Sequence, residues 1–180
     1  MPIFDGKSLA GWEGDAAWWR VEDGEIRGGS STVKVPKNFF LATEKSYQNF
    51  DLRVKLRLTG TGFVNSGIQI RSVRVPNNTE MSGYQIDYGP GWYGKIYDES
   101  RRNKVIADSA DPKAVLAAVK PGEWNEYRIL AEGRRIRSWI NGVPALDYTE
   151  ADLNIATDGK IGLQIHSGGK AEVQVKDIVI

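Results

Sequence analysis

The sequence predicts an all-β protein, a jelly-roll sandwich of two antiparallel sheets with one short helix. About a dozen short runs alternate apolar and polar residues and are separated by turns bearing glycine, asparagine or aspartate. Only one stretch carries the cap and proline signals of a helix, and it is too short to organise a fold. No repeat at a fixed period and no linker composition divides the 180 residues, so a single domain over 1–180 is expected.

Phe4-Asp5-Gly6 through Trp12 reads as a turn-rich lead-in. Trp18 to Val21 and Glu25 to Gly28 flank the acidic turn Glu22-Asp23-Gly24, which predicts a hairpin. Phe39 to Thr43 is a brief apolar segment. Phe50 to Leu58 is the clearest strand: Phe50, Leu52, Val54, Leu56 and Leu58 share one face, and Asp51, Arg53, Lys55 and Arg57 share a solvent face. Three further alternations lie between Asn65 and Ser100, with Pro76-Asn77-Asn78 as a loop and Gly89-Pro90-Gly91 as a turn. Asp111 as N-cap and Pro112 at the first helical position open the one helix, whose body is Ala114 to Val119, before Pro121-Gly122 stops it. Trp124 to Ala131 and Arg135 to Ile140 make another strand pair, and Asn141-Gly142 is the strongest short hairpin signal in the chain. Gly159 to His166 and Ala171 to Ile180 close the sequence. In the last run the apolar phase changes between Val175 and Ile178, which predicts a bulge near Lys176-Asp177.

Bulk properties exclude several function classes. With 24 Lys+Arg against 23 Asp+Glu, the net charge of +1 supplies no long-range field for nucleic acid or an anionic membrane. The absence of cysteine rules out disulfides and thiolate metal sites. No apolar run approaches the roughly 20 residues of a membrane span. The opening MPIFDGKSL lacks the basic and apolar regions of a signal peptide. Six tryptophans and seven tyrosines offer flat surfaces on which sugar rings can stack.

The chemistry concentrates on the polar phase of the central strands. Gln69 and Arg71 oppose Ile68 and Ile70, Gln85 and Asp87 oppose Ile86, and Tyr93, Lys95 and Tyr97 oppose Ile96. This row is expected to floor a cleft. Gln164 and His166 share the polar face of a later strand, and His166 is the only histidine, a residue type whose ordinary pKa suits acid–base work. Asn65 is expected to point into the cleft from a strand-entry turn, and Trp92, beside Gly89-Pro90-Gly91, to contact a ligand; Trp139 is a further stacking candidate. The pattern Gln85-x-Asp87 offers one carboxylate and one amide. A two-carboxylate retaining glycosidase, with acid and nucleophile about 5–5.5 Å apart, would need Glu44 or Asp98 to reach in from elsewhere. No spaced ligand motif requires a metal, although Asp87, Glu44, His166 and backbone carbonyls could hold calcium or another divalent ion.

Several segments, in order, resemble the 3-keto-disaccharide hydrolase domain family. They are Ile3-Phe4-Asp5-Gly6-Lys7-Ser8-Leu9 followed by Gly11-Trp12, Trp19 to Ile26, Tyr47 to Leu52, Asn65-Ser66-Gly67-Ile68, Gly83-Tyr84-Gln85-Ile86-Asp87, Gly122-Glu123-Trp124-Asn125, Ile140-Asn141-Gly142, and Gly162-Leu163-Gln164-Ile165-His166. The resemblance spans nearly the whole chain. It implies a concanavalin A-like jelly roll, a role in bacterial sugar breakdown, an oxidised disaccharide or glycoside as partner, and a periplasmic or extracellular location. Lys176-Asp177 departs from the family pattern, which often reads Arg-Asn there. A 3-keto sugar carries an acidified C2 proton, so the glycosidic bond can leave by elimination, with water added back afterwards. That needs one base and one group to stabilise the enolate oxygen. Asp87 or His166 as base with Arg71 as the enolate partner would satisfy it, with Gln69, Gln85, Trp92, Tyr93, Lys95, Tyr97, Gln164, Asn65 and Glu44 as substrate contacts. A carbohydrate-binding module without catalysis and a conventional endo-glycosidase are the alternatives. His166 on the polar face argues against the first and the lone Gln-x-Asp pair against the second.

Overall fold

A computed structural model describes all residues, Met1–Ile180. In chain order the strands are β1 (Trp12–Glu13), β2 (Trp19–Glu22), β3 (Glu25–Gly29), β4 (Phe39–Tyr47), β5 (Phe50–Gly62), β6 (Ser66–Arg74), β7 (Met81–Tyr88), β8 (Ile96–Glu99) and β9 (Val105–Ala107). Helix α1 (Pro112–Ala118) precedes β10 (Asn125–Glu132), β11 (Arg135–Ile140), β12 (Val143–Thr149), β13 (Gly159–Ile165) and β14 (Gly169–Val179). One sheet runs β1-β4-β13-β6-β7-β8-β9 and the other β12-β11-β10-β5-β14-β3-β2, all pairs antiparallel. This is the jelly-roll sandwich that the alternation predicts.

The core lies between the sheets. Across the first sheet Leu41, Leu163, Ile68, Ile86 and Ile96 stand in register on five neighbouring strands and point inward. The second sheet answers with the even-numbered face of Phe50 to Leu58 and with Val173, Val175 and Ile26. The Asp51, Arg53, Lys55 and Arg57 face turns outward. Asp23 and Gly24 take φ of 54° and 74°, and Asn141 and Gly142 take 49° and 81°, the left-handed pairs that a two-residue hairpin needs. Asp111 caps α1 by accepting the Ala114 amide at 3.1 Å. The bulge in β14 is where the phase change puts it, with the register shifting between Lys176 and Val179 and Asp177 at φ 51°.

β1, β9 and β12 lie outside the strands that alternation predicts. The first two are edge strands of two and three residues, too short for periodicity to register. β12 carries Pro144, which weakens its strand signal and is tolerated because β12 is an edge strand.

A second bulge, in β6, matters more for the site. The β6–β7 register shifts between Ile70 and Val73, and Arg71 sits at φ 48°. The alternation that places Arg71 beside Gln69 fails there. Its guanidinium instead donates to the Gln48 carbonyl at 3.1 and 2.8 Å and to the Gly133 carbonyl, tying together the β4–β5 and β10–β11 turns. Only 3% exposed, Arg71 is a structural clamp, which corrects the enolate-partner role.

Candidate active site

Paired residues of neighbouring strands share a face, so the register itself draws the outer surface of the first sheet. One row is Phe40, Gln164, Gly67 and Asp87; the next is Ala42, Gly162, Gln69, Gln85 and Tyr97. Gly67 stands between Gln164 and Asp87, and a β-carbon there would come within 2.7 Å of Gln85 Cγ. Because it is glycine, the Gln85 amide can lie over β6. Its Nε2 donates to Asp87 Oδ1 at 2.7 Å and to Gln164 Oε1 at 3.1 Å, joining β7 to β13 across β6.

Asp87 is held from both sheets. Its amide donates to the Lys95 carbonyl, and its carbonyl accepts from the Gly94 amide and from the Tyr127 hydroxyl at 2.8 Å. The carboxyl is 2% exposed, and Asp87 Oδ2 and Gln85 Oε1 are buried without a protein partner. Burial pushes the Asp87 carboxyl up to about 8, against the opposing Gln85 hydrogen bond and Lys95 charge and with a further push from Glu99. At neutral pH this group is mainly the uncharged acid, a donor rather than a base.

A cleft of about 170 Å³ opens over these strands, lined by Phe63, Asn65, Gln85, Asp87, Trp92, Tyr97, Glu99 and His166. His166 follows β13, its amide donating to the Asn65 carbonyl at 3.0 Å and its ring meeting Phe63 edge-on with centroids 4.7 Å apart. Nδ1 lies 2.8 Å from the Ser167 carbonyl. A carbonyl only accepts, so Nδ1 carries the proton and Nε2 of the neutral ring holds the lone pair. His166, just past the end of β13, and Asp87, on β7, thus line one cleft.

Six of the named candidates line that cleft: Asn65, Gln85, Asp87, Trp92, Tyr97 and His166. The rest do not. Gln69 and Gln164 are fully buried in the floor, Gln69 bonded to Ser72 and Gln164 to Gln85. The Tyr93 ring packs beside Tyr88 and borders a separate groove, because residues 89–94 form a turn and strand alternation does not extend back from Ile96 to Tyr93. Lys95 pairs with Asp108 at 2.6 Å. Glu44 is exposed on β4 outside the cleft, so it joins neither a carboxylate pair nor a metal set with Asp87 and His166, and no three His, Asp or Glu side chains cluster closely enough to hold a metal. Asp98 faces away into an ion-pair network with Arg101 and Arg102, and Trp139 lies under Arg128 on the other sheet. Lys176 covers Trp124 on that same sheet, so the departure at Lys176-Asp177 leaves the cleft untouched.

Phe63 and Glu99 are the lining residues that the sequence reading misses. Glu99 was within reach, since it continues the phase of Tyr97 by two residues along β8. Phe63 lies in a loop, where no periodicity points.

Comparisons with known proteins agree with this architecture. A candidate glycosyl hydrolase of Parabacteroides distasonis superposes with a TM-score of 0.72 at 21% identity, covering 99% of this chain and 91% of that one. The carbohydrate-binding module CBM66 of Bacillus subtilis gives 0.69 at 15%, covering 93% of each. The Bacillus licheniformis β-glucanase gives 0.60 at 13%, covering 96% of this chain and 92% of that one. Identities this low establish a shared fold. No curated protein sequence matches the chain. Residues 1–180 match the 3-keto-alpha-glucoside-1,2-lyase-like domain, and the chain belongs to that carbohydrate-active family.

Proposed function

We propose that the cleft cleaves 3-keto-glycosides by elimination across C1 and C2, followed by hydration. The observation that carries this reading is the pairing, in one cleft, of a histidine with a free Nε2 and a buried carboxyl that burial keeps protonated. His166 removes the C2 proton, which the C3 carbonyl acidifies. Asp87, as the neutral acid, donates its hydrogen bond to the oxygen that becomes the enolate, and the Gln85 amide holds it in place. The enolate collapses, C1=C2 forms and the C1–O bond breaks. Water then adds across C1=C2 to give the free keto sugar. The aromatic rings of Trp92 and Tyr97, edge-on at 6.3 Å, supply flat walls for the sugar.

The test compares three substrates: a 3-keto-disaccharide, its unoxidised parent and a glucan. Cleavage of the keto sugar alone is expected. Hydrolysis of the parent or the glucan would contradict it, and binding with no turnover of any of them would favour a binding module of the same fold.

A further inference from the structure

Two acids meet in sequence at Asp98-Glu99, and the fold treats them oppositely. Asp98, fully buried, accepts from Arg101 and Arg102. Glu99 turns to the other face of β8, into the cleft, and receives no hydrogen bond or ion pair. Burial, with Glu80 close by, pushes its carboxyl up to about 7. The sheet order β13-β6-β7-β8 puts His166 and Glu99 on strands three steps apart, with Asp87 between them on β7. A base at one end of a cleft and an unpaired carboxyl at the other is the arrangement for moving two protons on one substrate.

We propose that Glu99 is the proton donor to the departing alcohol, a role that rests on the elimination reading above. In the forward step the C2–H electron pair forms C1=C2 through the enolate, the C1–O bond breaks, and the leaving oxygen takes the Glu99 proton. His166 is then protonated and Glu99 is a carboxylate. In the hydration step Glu99 takes a proton from water as its oxygen bonds to C1, and His166 returns a proton to C2. Both groups end as they began, and the sum is one glycoside and one water giving a 3-keto sugar and an alcohol.

A proton donor to the leaving group matters most when that group is a poor one. The measurement is therefore kcat/KM on two 3-keto-glucosides, one with a nitrophenol leaving group and one with a sugar or alkyl alcohol, for the wild type and Glu99→Gln. The expected result is a loss of about 100-fold on the alkyl or sugar substrate with the nitrophenyl substrate nearly unchanged. The ratio between substrates does not depend on how much of the variant is folded. An unchanged ratio in Glu99→Gln would overturn the proposal. If the wild type turns over neither keto substrate, the elimination reading itself fails and this role with it.

Discussion

At the scale of single residues, Asp87 is a group whose chemistry its surroundings strongly alter. A carboxyl raised from 3.8 to about 8 binds a proton in the folded chain that the unfolded chain has already lost over that range. The stability it contributes is therefore present at low pH and lost as pH rises, at up to about 1.4 kcal/mol per pH unit. Asp87→Asn is uncharged throughout, so its thermal midpoint is expected to gain on the wild type between pH 5 and pH 9; parallel pH profiles of the two would show that Asp87 is ionised when folded. Asp87→Ala, which leaves no donor, is expected to lower kcat by about 10²–10³, the effect of losing a donor to a developing oxyanion, and wild-type kcat/KM should fall above about pH 8 as Asp87 ionises. Arg71→Ala makes the opposite pattern: it strips the Gln48 and Gly133 carbonyls of their donor and is expected to cost about 2–4 kcal/mol in urea denaturation, while turnover by the folded fraction persists. Asp87 and His166 were legible as polar positions on apolar strands. Arg71 was misread because a single left-handed residue breaks the period of two, and nothing in the local sequence marks the bulge.

Strands act on the site through their register. Gly67 keeps the floor flat enough for Gln85 to reach across β6, so Gly67→Ala is expected to displace Gln85 and lower kcat/KM by at least about tenfold with the fold retained, as a misplacement near 1 Å does. Near-unchanged activity would mean that the Gln85 bridge is dispensable. β8 brings Tyr97 and Glu99 to the cleft, and it is fastened from its inward face. Arg102 donates to both Asp98 and Glu150, and the Tyr84 hydroxyl donates to Glu150 at 2.8 Å. Burial alone would raise the Glu150 carboxyl, yet its bonds from Arg102, the Asp152 amide, Tyr84 and Tyr148 hold it at about 2. Removing Arg102 as Arg102→Ala leaves buried carboxylates short of their cation and is expected to cost about 3 kcal/mol in chemical denaturation. That stabilisation is present at neutral pH and lost only as pH falls toward about 2. The long strands, both hairpin turns, the helix cap and the β14 bulge could be read from alternation and turn chemistry. The network around Asp98 could not, because it joins residues up to 66 positions apart that no local pattern connects.

For the whole molecule, the sandwich explains why a polar row can be buried and still serve a ligand. The inner faces of the two sheets claim most of the aliphatic residues, and the outer face of the first sheet carries amides, carboxyls and glycines beside a small apolar cluster of Phe40, Ala42 and Met81. The fold class was legible because strands and turns repeat their signals along the chain. The cleft was half legible: period-two phase selected the right strands, but which polar residues reach the surface depends on how Gln69, Gln164 and Gln85 pack on one another, a tertiary fact. Family membership and fold are common to binding modules and hydrolases, so the central claim is chemical, that His166 takes a proton from C2. It is tested most directly with a 3-keto-glucoside deuterated at C2 and cleaved in ordinary water. His166 is expected to take the deuteron and exchange it with water in the open cleft while the alcohol leaves, so that the free keto sugar carries hydrogen at C2 and its formation collapses in His166→Ala; a product that keeps the C2 label, measured before it exchanges by itself, together with no primary isotope effect on kcat/KM, would contradict the claim.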